Sequence, residues 1–344
     1  MHTIELINKI IMYIFFICYS YQFLYIVISF FRKKAVHQPE VLHRLAILIA
    51  ARNEETVIGS LIDSIQACDY PMDQIDIYVG ADNCTDQTAQ VAKQHGAIVY
   101  ERADTTHVGK GYVLNFLLDK IKHVRNEQYD AYIVLDADNI LDPGFLRAIN
   151  QTYTDGHEIV TCYRNSKNYG SNWISAGYAL WFLREAKYLN AARMAIGSSS
   201  AVSGTGFLFS DEVINSYNGW NFFTLTEDIE FTISNVSRGV TIGYSADAIL
   251  YDEQPTSFRQ SWNQRLRWAK GYLQVLRKYG SSLFKGIFHG SFSCYDMLMN
   301  ILPAAALTAV SILVNLGLLY IAFWEMAPLL PSVPLCSSYL SVCA

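Results

Sequence analysis

The sequence is poor in charge. Charged residues make up 17% of its 344 residues, against about 25% in ordinary soluble domains. The formal net charge is −5, so the chain lacks the basic excess typical of proteins that bind the phosphate backbone, which argues against a nucleic-acid partner. Hydrophobic residues reach 51%, and their excess lies at the two ends of the chain.

The sequence also lacks any paired arrangement of cysteines. Its seven cysteines are scattered, with no Cys-x-x-Cys pair and no histidine at zinc spacing. This pattern argues against a zinc site and predicts reduced thiols. Internal repeats and low-complexity linkers are absent too, so the length is compatible with one large domain or two.

The first apolar run, residues 10–31, contains no charged residue and exceeds the roughly 20 residues that cross a bilayer. Arg32, Lys33 and Lys34 follow it at once. The positive-inside rule places this basic cluster, and the globular region after it, in the cytoplasm. A cleaved signal peptide is the weaker alternative, because the run is long, no cleavage site ends it and the charge follows it.

The second apolar run, residues 297–323, is interrupted only by Asn300, Pro303 and Asn315, and it predicts another membrane span. The tail, residues 328–344, is apolar but contains three prolines. A further span, an interfacial segment and the stump of a shortened chain all remain open for it.

The region between the two runs alternates short apolar segments with helical patterns, which predicts βαβ units and a mostly parallel sheet. Strands are expected at residues 45–50, 75–79, 97–100 and 132–135. Helices are expected at residues 54–65, after Thr85 as N-cap, and from Gly109-Lys110-Gly111 onward. Ligands bind beyond the carboxyl ends of such strands. The polar residues there are Asn53, Asp82, Asp86, Asp136 and Asp138.

The carboxylates at these strand ends suggest two kinds of contact. Asp136 and Asp138 can share a hard divalent ion such as Mg²⁺, which favours one or two carboxylates plus phosphate oxygens; solvated turn acids are the alternative. Asp82 can accept hydrogen bonds from a base edge or ribose, whereas Asp86 is also placed to cap a helix. Lys110 is interpreted equally well as a nucleotide contact or as part of a turn.

Two later segments complete the candidate site. Thr226-Glu227-Asp228 opens an expected helix, where Asp228 is a candidate general base and simple capping is the alternative. The segment 256–279 carries six basic residues and no acid, together with an apolar stripe, which is typical of an amphipathic helix at a membrane surface. Lipid anchoring does not require Gln264, Arg267 and Trp268 as a group. Those three can supply a diphosphate clamp and a platform for a sugar.

With these motifs in order, residues 45–300 resemble the membrane-embedded family-2 glycosyltransferases, which include the cellulose, chitin, hyaluronan and poly-N-acetylglucosamine synthases. The Gln264-x-x-Arg267-Trp268 signature is the specific part of the resemblance. It implies a GT-A fold and inverting transfer from a UDP-sugar. By this likeness Asp82 meets the uracil, Asp136 and Asp138 serve UDP and Mg²⁺ or Mn²⁺, and Asp228 is the base. Gln264 and Arg267 hold the diphosphate, and Trp268 lines the acceptor site.

The resulting expectation is a multi-pass cell-membrane glycosyltransferase that acts on a glycan or lipid-linked acceptor in cell-surface polysaccharide synthesis, with a homo-oligomer or a membrane subunit as a further partner. Its expected parts are an N-terminal anchor (1–34), a cytoplasmic GT-A domain (35–255), interfacial helices (256–295) and a C-terminal membrane region (296–344). Polymerising relatives have more spans than this chain, so single addition to a lipid remains open. The competing hypotheses are a non-catalytic nucleotide-sugar-binding subunit and, more weakly, a nucleotidyltransferase.

Overall fold

The computed structural model describes residues 2–31, 37–125, 127–302 and 308–326. It contains two compact units. The larger is Tyr19–Leu302, which holds the sheet and all the candidate site residues; the smaller comprises Met1–Cys18 and Pro303–Ala344.

One described helix is long and apolar enough to cross a membrane. Helix α1 spans His2–Phe30, and its candidate span is Glu5–Phe30. The second apolar run is divided between helix α11 (Phe292–Leu302), which is buried in the larger unit, and helix α12 (Thr308–Met326), whose apolar stretch Ala309–Trp324 is shorter. A C-terminal span therefore stays a prediction. The basic cluster 32–34 and the tail 328–344 lie outside the described residues.

The larger unit is built on an eight-stranded sheet with the order β3-β2-β1-β4-β7-β6-β8-β5. Its strands are β1 Leu45–Ala51, β2 Ile75–Asp82, β3 Ile98–Arg102, β4 Ala131–Asp136, β5 Ile140–Leu141, β6 Ile159–Ser166, β7 Phe207–Ser210 and β8 Ile242–Asp252. The first four predicted strands are confirmed within one to three residues at their ends. The three pairings among these four strands, β1 with β2, β1 with β4 and β2 with β3, are all parallel.

Helices surround this sheet. They are α2 Ile58–Gln66, α3 Thr88–Gln94, α4 Lys110–Lys120, α5 Phe145–Thr154, α6 Trp173–Leu183, α7 Ala191–Ala195, α8 Asp211–Ser216, α9 Glu227–Ser237 and α10 Phe258–Phe288. Two π-helical segments, Ile121–Arg125 and Arg184–Asn190, continue α4 and α6. The helix predicted from residue 54 begins later, at Ile58, and the helix predicted from Lys110 begins there.

The sheet is mixed: four of the seven strand pairings in the described residues are parallel, including β6 with β8, whereas β7 runs antiparallel to both β4 and β6, and β5 runs antiparallel to β8. One expectation from the sequence needs correction. Thr85 is not the N-cap of α3, since that helix begins at Thr88. The Asp86 carboxylate accepts hydrogen bonds from the Thr88 N–H at 3.1 Å and hydroxyl at 2.6 Å instead.

The core lies on both faces of the sheet. Successive residues of β1, from Leu45 to Ile49, are all fully buried. A strand buried on both faces reads as a continuous apolar run rather than an alternating one. This is why its sequence predicted a parallel strand correctly.

A buried ion pair joins three helices of the larger unit. Arg193 of α7 donates to Asp296 of α11 at 2.7 and 3.0 Å, and both side chains are essentially inaccessible. Tyr21 and Tyr25 of α1 donate to the same carboxylate at 2.7 and 2.8 Å. The pair is therefore fully hydrogen-bonded, which is the condition under which buried charges are tolerated.

We expect Asp296→Ala to destabilise the larger unit by about 3–5 kcal/mol, because it leaves the Arg193 guanidinium buried without its partner. The melting temperature of the detergent-solubilised protein should fall by roughly 10 °C. Glu101→Ala is the matched control, since it removes one partner of the exposed Lys93–Glu101 pair, which is worth at most about 1 kcal/mol. Equal melting temperatures for the two variants would contradict the assignment.

Candidate active site

The polar residues predicted at strand ends meet at one edge of the sheet. Because β1, β2 and β4 are parallel, their carboxyl ends bring Asp82, Asp136 and the turn carrying Asp138 to the same side. The antiparallel strand β7 starts at this edge, where the Gly206 N–H donates to the Val134 carbonyl at 2.9 Å. The loop before β7 is thereby added to the site.

Lys110 lies at the centre of this edge, on the first turn of α4. Its ammonium donates to Asp136 Oδ1 at 2.5 Å and to the Gly204 carbonyl at 2.9 Å. Burial alone would lower the pKa of Lys110, but the carboxylates of Asp136 and Glu227 outweigh burial and raise it. Lys110 is therefore a permanent cation that joins β4 to the loop before β7.

Asp138 lies close to two other carboxylates, those of Asp252 and Asp136. Asn139, which is fully buried, donates to Asp138 at 3.4 Å and to Asp252 at 3.0 Å, and Asp252 is paired with Arg164. Burial and the carboxylates of Asp252 and Asp136 raise the pKa of Asp138 to about 7. Its ionised form is thus short of positive partners, as expected for a carboxylate that binds a cation.

Asp82 forms an ion pair with a neighbour that the sequence patterns did not single out. Arg102, at the end of β3, donates to Asp82 Oδ1 at 2.6 Å, and Asn83 donates to the same oxygen at 3.1 Å. No described residue donates to the second carboxylate oxygen. Asp82 is therefore a fixed acceptor at the outer part of the site.

Asn53 and Asp86 serve the loops around the site in this structure. Asn53 has a left-handed backbone, with φ of 58°, and its Oδ1 accepts from the Thr85 N–H at 2.8 Å. Asp86 also accepts from the Glu55 N–H at 3.2 Å. Neither lines the cavity described below, whereas Glu54 does. A nucleotide contact by Asn53 stays a prediction.

Asp228 stands at the N-terminus of α9, apart from the Asp136–Asp138 pair. Its Oδ2 accepts a hydrogen bond from the Gly204 N–H at 2.6 Å. Burial raises the pKa of Asp228, and the backbone N–H groups of Ile229 and Gly204 oppose this effect. The adjacent Glu227 also has a raised pKa because of burial and the Asp228 carboxylate. A carboxylate with a raised pKa is suited to proton transfer near neutral pH.

Helix α10 contributes Gln264, Arg267 and Trp268 to the site. Gly271 packs so closely on α9 that an added Cβ would lie 2.4 Å from Thr226 Oγ1, so a glycine is needed for this approach. About one turn earlier, Trp268 packs on Tyr178 and Phe182 of α6. Arg267 is exposed and makes no ion pair within the described part of the chain.

Two adjoining cavities occupy the site. The larger has a volume of about 500 Å³ and is lined by Asp82, Lys110, Asp136, Asp138, Arg267 and Trp268, among others. The smaller has about 120 Å³ and is lined by Glu185, Gln264 and Tyr272, among others. Asp136, Gly204, Thr226, Asp228, Arg267 and Trp268 line both. Asp228 therefore stands where the two cavities meet.

The chemistry of the donor set fits a hard divalent cation. Asp136 and Asp138 are oxygen ligands of the kind that Mg²⁺ and Mn²⁺ take. The described residues contain no cluster of three or more potential metal-ligating His, Cys, Asp or Glu side chains. A cation here would need oxygens from a ligand as well, which is usual where Mg²⁺ bridges a protein and a phosphate.

One wall of the larger cavity is a loop held by a buried carboxylate. Glu230 of α9 is fully buried and accepts hydrogen bonds from the Phe223 and Thr224 N–H groups at 3.0 and 2.9 Å. Its other oxygen accepts from Lys278 of α10 at 2.6 Å. Phe223 in turn stacks on Tyr112 at 4.4 Å. Lys278 thus anchors this buried carboxylate, although its own side chain is 53% exposed.

The sequence patterns missed several residues around the site. Arg102 follows the rule of polar residues at strand ends and was detectable by it. Glu54, Glu185 and Glu230 carry no short motif, because their places depend on the packing of separate helices and loops.

Comparison with known proteins identifies the fold and the family. A model described as "Glycosyltransferase like family 2" matches residues 43–271, more than half of the chain. The solved mannosyltransferase PcManGT from Pyrobaculum calidifontis, in complex with GDP-Man and Mn²⁺, superimposes with a TM-score of 0.61 at 16% identity, covering 91% of this chain and 92% of that one. At this identity the likeness concerns the fold, which is a mixed α/β, GT-A-like fold.

Two curated relatives are similar in sequence. The probable glycosyltransferase YdaM of Bacillus subtilis is 24% identical over 324 residues, covering 83% of this chain and 71% of the relative. The beta-monoglucosyldiacylglycerol synthase of Synechocystis sp. is 27% identical over 242 residues, covering 69% of this chain and 49% of that protein. The chain thus spans about half the length of the synthase.

We expect Glu230→Gln to loosen the loop at the cavity wall, because it replaces charge-assisted hydrogen bonds with weaker neutral ones. Amide hydrogen exchange at Phe223 and Thr224 should accelerate about tenfold, since a bond to a charged group is worth about 1.5–3 kcal/mol. Glu212→Gln, on an exposed carboxylate of α8, is the control. Unchanged exchange in Glu230→Gln would show that the loop is held by its other contacts.

Proposed function

The chain belongs to glycosyltransferase family 2 and is a glycosyltransferase, and on this premise we propose that it transfers a sugar, with inversion, from a UDP-sugar to a carbohydrate or lipid-linked acceptor. Family membership makes it an enzyme, so the non-catalytic subunit and the nucleotidyltransferase are not carried further. The observation that supports the proposal best is the position of Asp228 at the junction of two cavities. One cavity suits a charged donor, and the other suits an acceptor.

The larger cavity has the groups that a nucleoside diphosphate sugar requires. The free carboxylate oxygen of Asp82 can accept a hydrogen bond from the imide N–H of uracil, while Arg102 donates to its other oxygen and fixes its orientation. Lys110 provides a fixed positive charge beside Asp136. Asp136 and Asp138 would hold Mg²⁺ or Mn²⁺. The cation, when bound, neutralises negative charge on the diphosphate.

The transfer step rests on Asp228. In this proposal its carboxylate accepts the proton of the acceptor hydroxyl, whose oxygen forms a bond to the anomeric carbon. The bond from that carbon to the diphosphate oxygen breaks on the opposite face, and the electron pair leaves with UDP. The Gly204 N–H holds the Asp228 carboxylate at 2.6 Å, so the base is already oriented for this role.

Helix α10 supplies the groups for the leaving diphosphate. Arg267 lines both cavities, and a fixed cation there stabilises the charge that develops as UDP departs. Trp268, which packs against Tyr178 and Phe182, gives a rigid aromatic wall for a sugar ring. The resemblance assigned Gln264 to the diphosphate with Arg267, but Gln264 lines only the smaller of the two cavities, so in this proposal it contacts the acceptor instead.

A membrane location is supported by two outward helix faces. On α10, Phe258, Trp262, Leu266 and Leu273 are 45–66% exposed, so the predicted apolar stripe does not face the core. On the adjacent α6, Trp173, Leu180 and Trp181 are 53–76% exposed. Such faces beside basic residues are typical of helices at a bilayer surface. With the candidate span in α1, they support a cell-membrane enzyme. The cytoplasmic orientation of its catalytic domain rests on the basic residues 32–34 of the sequence.

The acceptor and the biological product remain part of the proposal. The Synechocystis relative is named as a synthase of a glucosyl lipid, and polymer synthases share the resemblance found in the sequence. We propose a role in cell-surface glycan or glycolipid synthesis, with multiple spans and a homo-oligomer or partner membrane subunit as the setting.

The function is tested by incubating the purified full chain with a panel of UDP- and GDP-sugars and measuring nucleotide release and product size. We expect release from a UDP-sugar, and Asp228→Asn should reduce transfer by about 10²–10⁴-fold while UDP binding stays near that of the wild type. Normal turnover in Asp228→Asn would remove this carboxylate from the mechanism. The absence of release from every donor would refute the function.

Asp138→Ala should abolish the dependence of donor binding on Mg²⁺ or Mn²⁺, because it removes one of the two proposed ligands. Calorimetric titration with UDP, with and without each ion, measures this effect. Asp86→Ala is a useful control, since Asp86 is an acid near a strand end that does not line the cavity. If Asp138→Ala keeps the full metal dependence, the ion binds elsewhere.

Arg267→Ala and Arg277→Ala should separate catalysis from membrane binding. Both arginines are exposed on α10, but of the two only Arg267 lines the cavities. Arg267→Ala should therefore reduce turnover strongly, whereas Arg277→Ala should weaken vesicle binding about fivefold, as expected for about 1 kcal/mol per cation near anionic lipid. Turnover assays and vesicle flotation distinguish them. If both variants lose vesicle flotation equally and both keep full turnover, α10 serves only to bind lipid and Arg267 has no role in catalysis.

A further inference from the structure

A second carboxylate lies beside the proposed base and has no role in the transfer step above. Glu185 is half-buried in the π-helical segment Arg184–Asn190. It lines the smaller cavity together with Asp228. π-Helical turns are rare and occur frequently at functional sites, so the placement of an acid on this turn calls for an explanation.

The fold gives Glu185 little positive compensation. Its one described hydrogen bond comes from the Ser203 hydroxyl, which donates to Oε2 at 3.2 Å. The nearby cation Arg164 is occupied by Asp252 and by the Ser203 carbonyl, and Arg193 is occupied by Asp296. Burial raises the pKa of Glu185. The carboxylate therefore keeps unused capacity to accept hydrogen bonds inside the cavity.

The same cavity contains another unused acceptor. The Oε1 atom of Gln264 is buried and accepts no hydrogen bond from any residue in the described part of the chain. Buried polar atoms without partners are rare in native proteins and usually indicate a missing ligand or water. Gln264, Asp228 and Glu185 are thus among the side chains of this cavity that can accept hydrogen bonds, and the Thr226 hydroxyl, also buried without a partner among the described residues, is another.

The size and polarity of the cavity define what would satisfy these groups. A volume of about 120 Å³ equals about four water molecules at roughly 30 Å³ each, which is enough for a small polyol or part of one sugar ring. A molecule with one hydroxyl could donate to Asp228 alone. A molecule with neighbouring hydroxyls could also donate to Glu185 and Gln264.

We propose that Glu185 is a further acceptor-binding residue, which accepts a hydrogen bond from a second hydroxyl next to the one that Asp228 deprotonates, and that the acceptor is consequently a polyol headgroup or sugar rather than a single-hydroxyl alcohol. This inference rests on the proposed function. It adds specificity, because a site built to receive a hydroxyl strongly rejects an analogue that lacks it. No proton leaves this second hydroxyl, and Asp228 remains the base.

The test uses the full chain in detergent micelles with its UDP-sugar donor and two acceptor probes of equal chain length, dodecyl β-D-glucoside and dodecan-1-ol. We expect the wild type to use the glucoside at least about 100-fold better in kcat/KM. Glu185→Gln keeps the size of the side chain but removes its charge. It should raise the KM for the glucoside about tenfold, with the KM for the donor and the rate with dodecanol unchanged.

Two control variants separate acceptor binding from a structural role. Glu212→Gln removes an exposed charge on α8 and should match the wild type. Ser203→Ala removes the hydroxyl that donates to Glu185 but leaves the carboxylate, so it should affect the KM for the glucoside less than Glu185→Gln does. If Glu185→Gln lowers the rates with both probes equally, or if Ser203→Ala reproduces its effect, Glu185 is structural and the inference fails.

Nucleotide release with water as the acceptor gives a second readout if neither probe is glycosylated. Dodecyl β-D-glucoside should then inhibit release in the wild type, and about tenfold more of it should be needed in Glu185→Gln. Equal inhibition in the two proteins, or none in either, would overturn the inference while leaving the glycosyltransferase intact. Failure of the wild type to release nucleotide from any donor would instead refute the proposed function, and the inference with it.

Discussion

The concentration of carboxylates at one sheet edge is the constraint on which the site depends. Asp136, Asp138, Glu227 and Asp228 line one cavity with Lys110. Burial and the neighbouring carboxylates together raise the pKa values of Asp138 and Glu227, because both effects disfavour the ionised form. The fold compensates partly, through Lys110 and the Gly204 N–H. The remaining negative charge is what a bound cation would neutralise.

The mixed sheet is what allows this concentration. Parallel strands place Asp82 and Asp136 at one edge, but they cannot by themselves bring a backbone loop and a second helix against that edge. The antiparallel strand β7 does so, because its first residue pairs opposite Val134. The loop before it supplies a carbonyl to Lys110 and an N–H to Asp228. Lys110 and Asp228 are therefore connected through a single loop residue, Gly204.

The first half of the fold was predictable from sequence, because each strand there is a continuous apolar run and each functional acid follows one directly. Asp82 and Asp136 illustrate this. The antiparallel strands were not predictable in the same way: Phe207–Ser210 is only four residues long, too short for a periodic signal. Thr85 was assigned wrongly because several residues of the same turn can cap a helix, and Asp86 does so through Thr88. The location of Glu185 depends on a π-helical turn, which has no local sequence signature.

Of the candidate residues, Asp82, Lys110, Asp136, Asp138, Asp228, Gln264, Arg267 and Trp268 all line the cavities. Asn53 does not, since its amide joins two loops. The sequence could not separate these cases, because a residue that supports a loop and a residue that faces a ligand have the same chemistry and the same spacing. Their roles in catalysis remain proposals.

Helix α10 has a consequence for how the molecule can be divided. It runs for 31 residues, Phe258–Phe288, or about 46 Å at 1.5 Å per residue. One side of the helix provides Arg267 and Trp268 as walls of the cavities. Its other side carries the exposed apolar stripe. A fragment trimmed before this helix to improve solubility would retain the sheet and its acids but have an open, one-sided cleft. The exposed apolar face cannot be removed without losing a wall of the cavity, because both belong to the same helix.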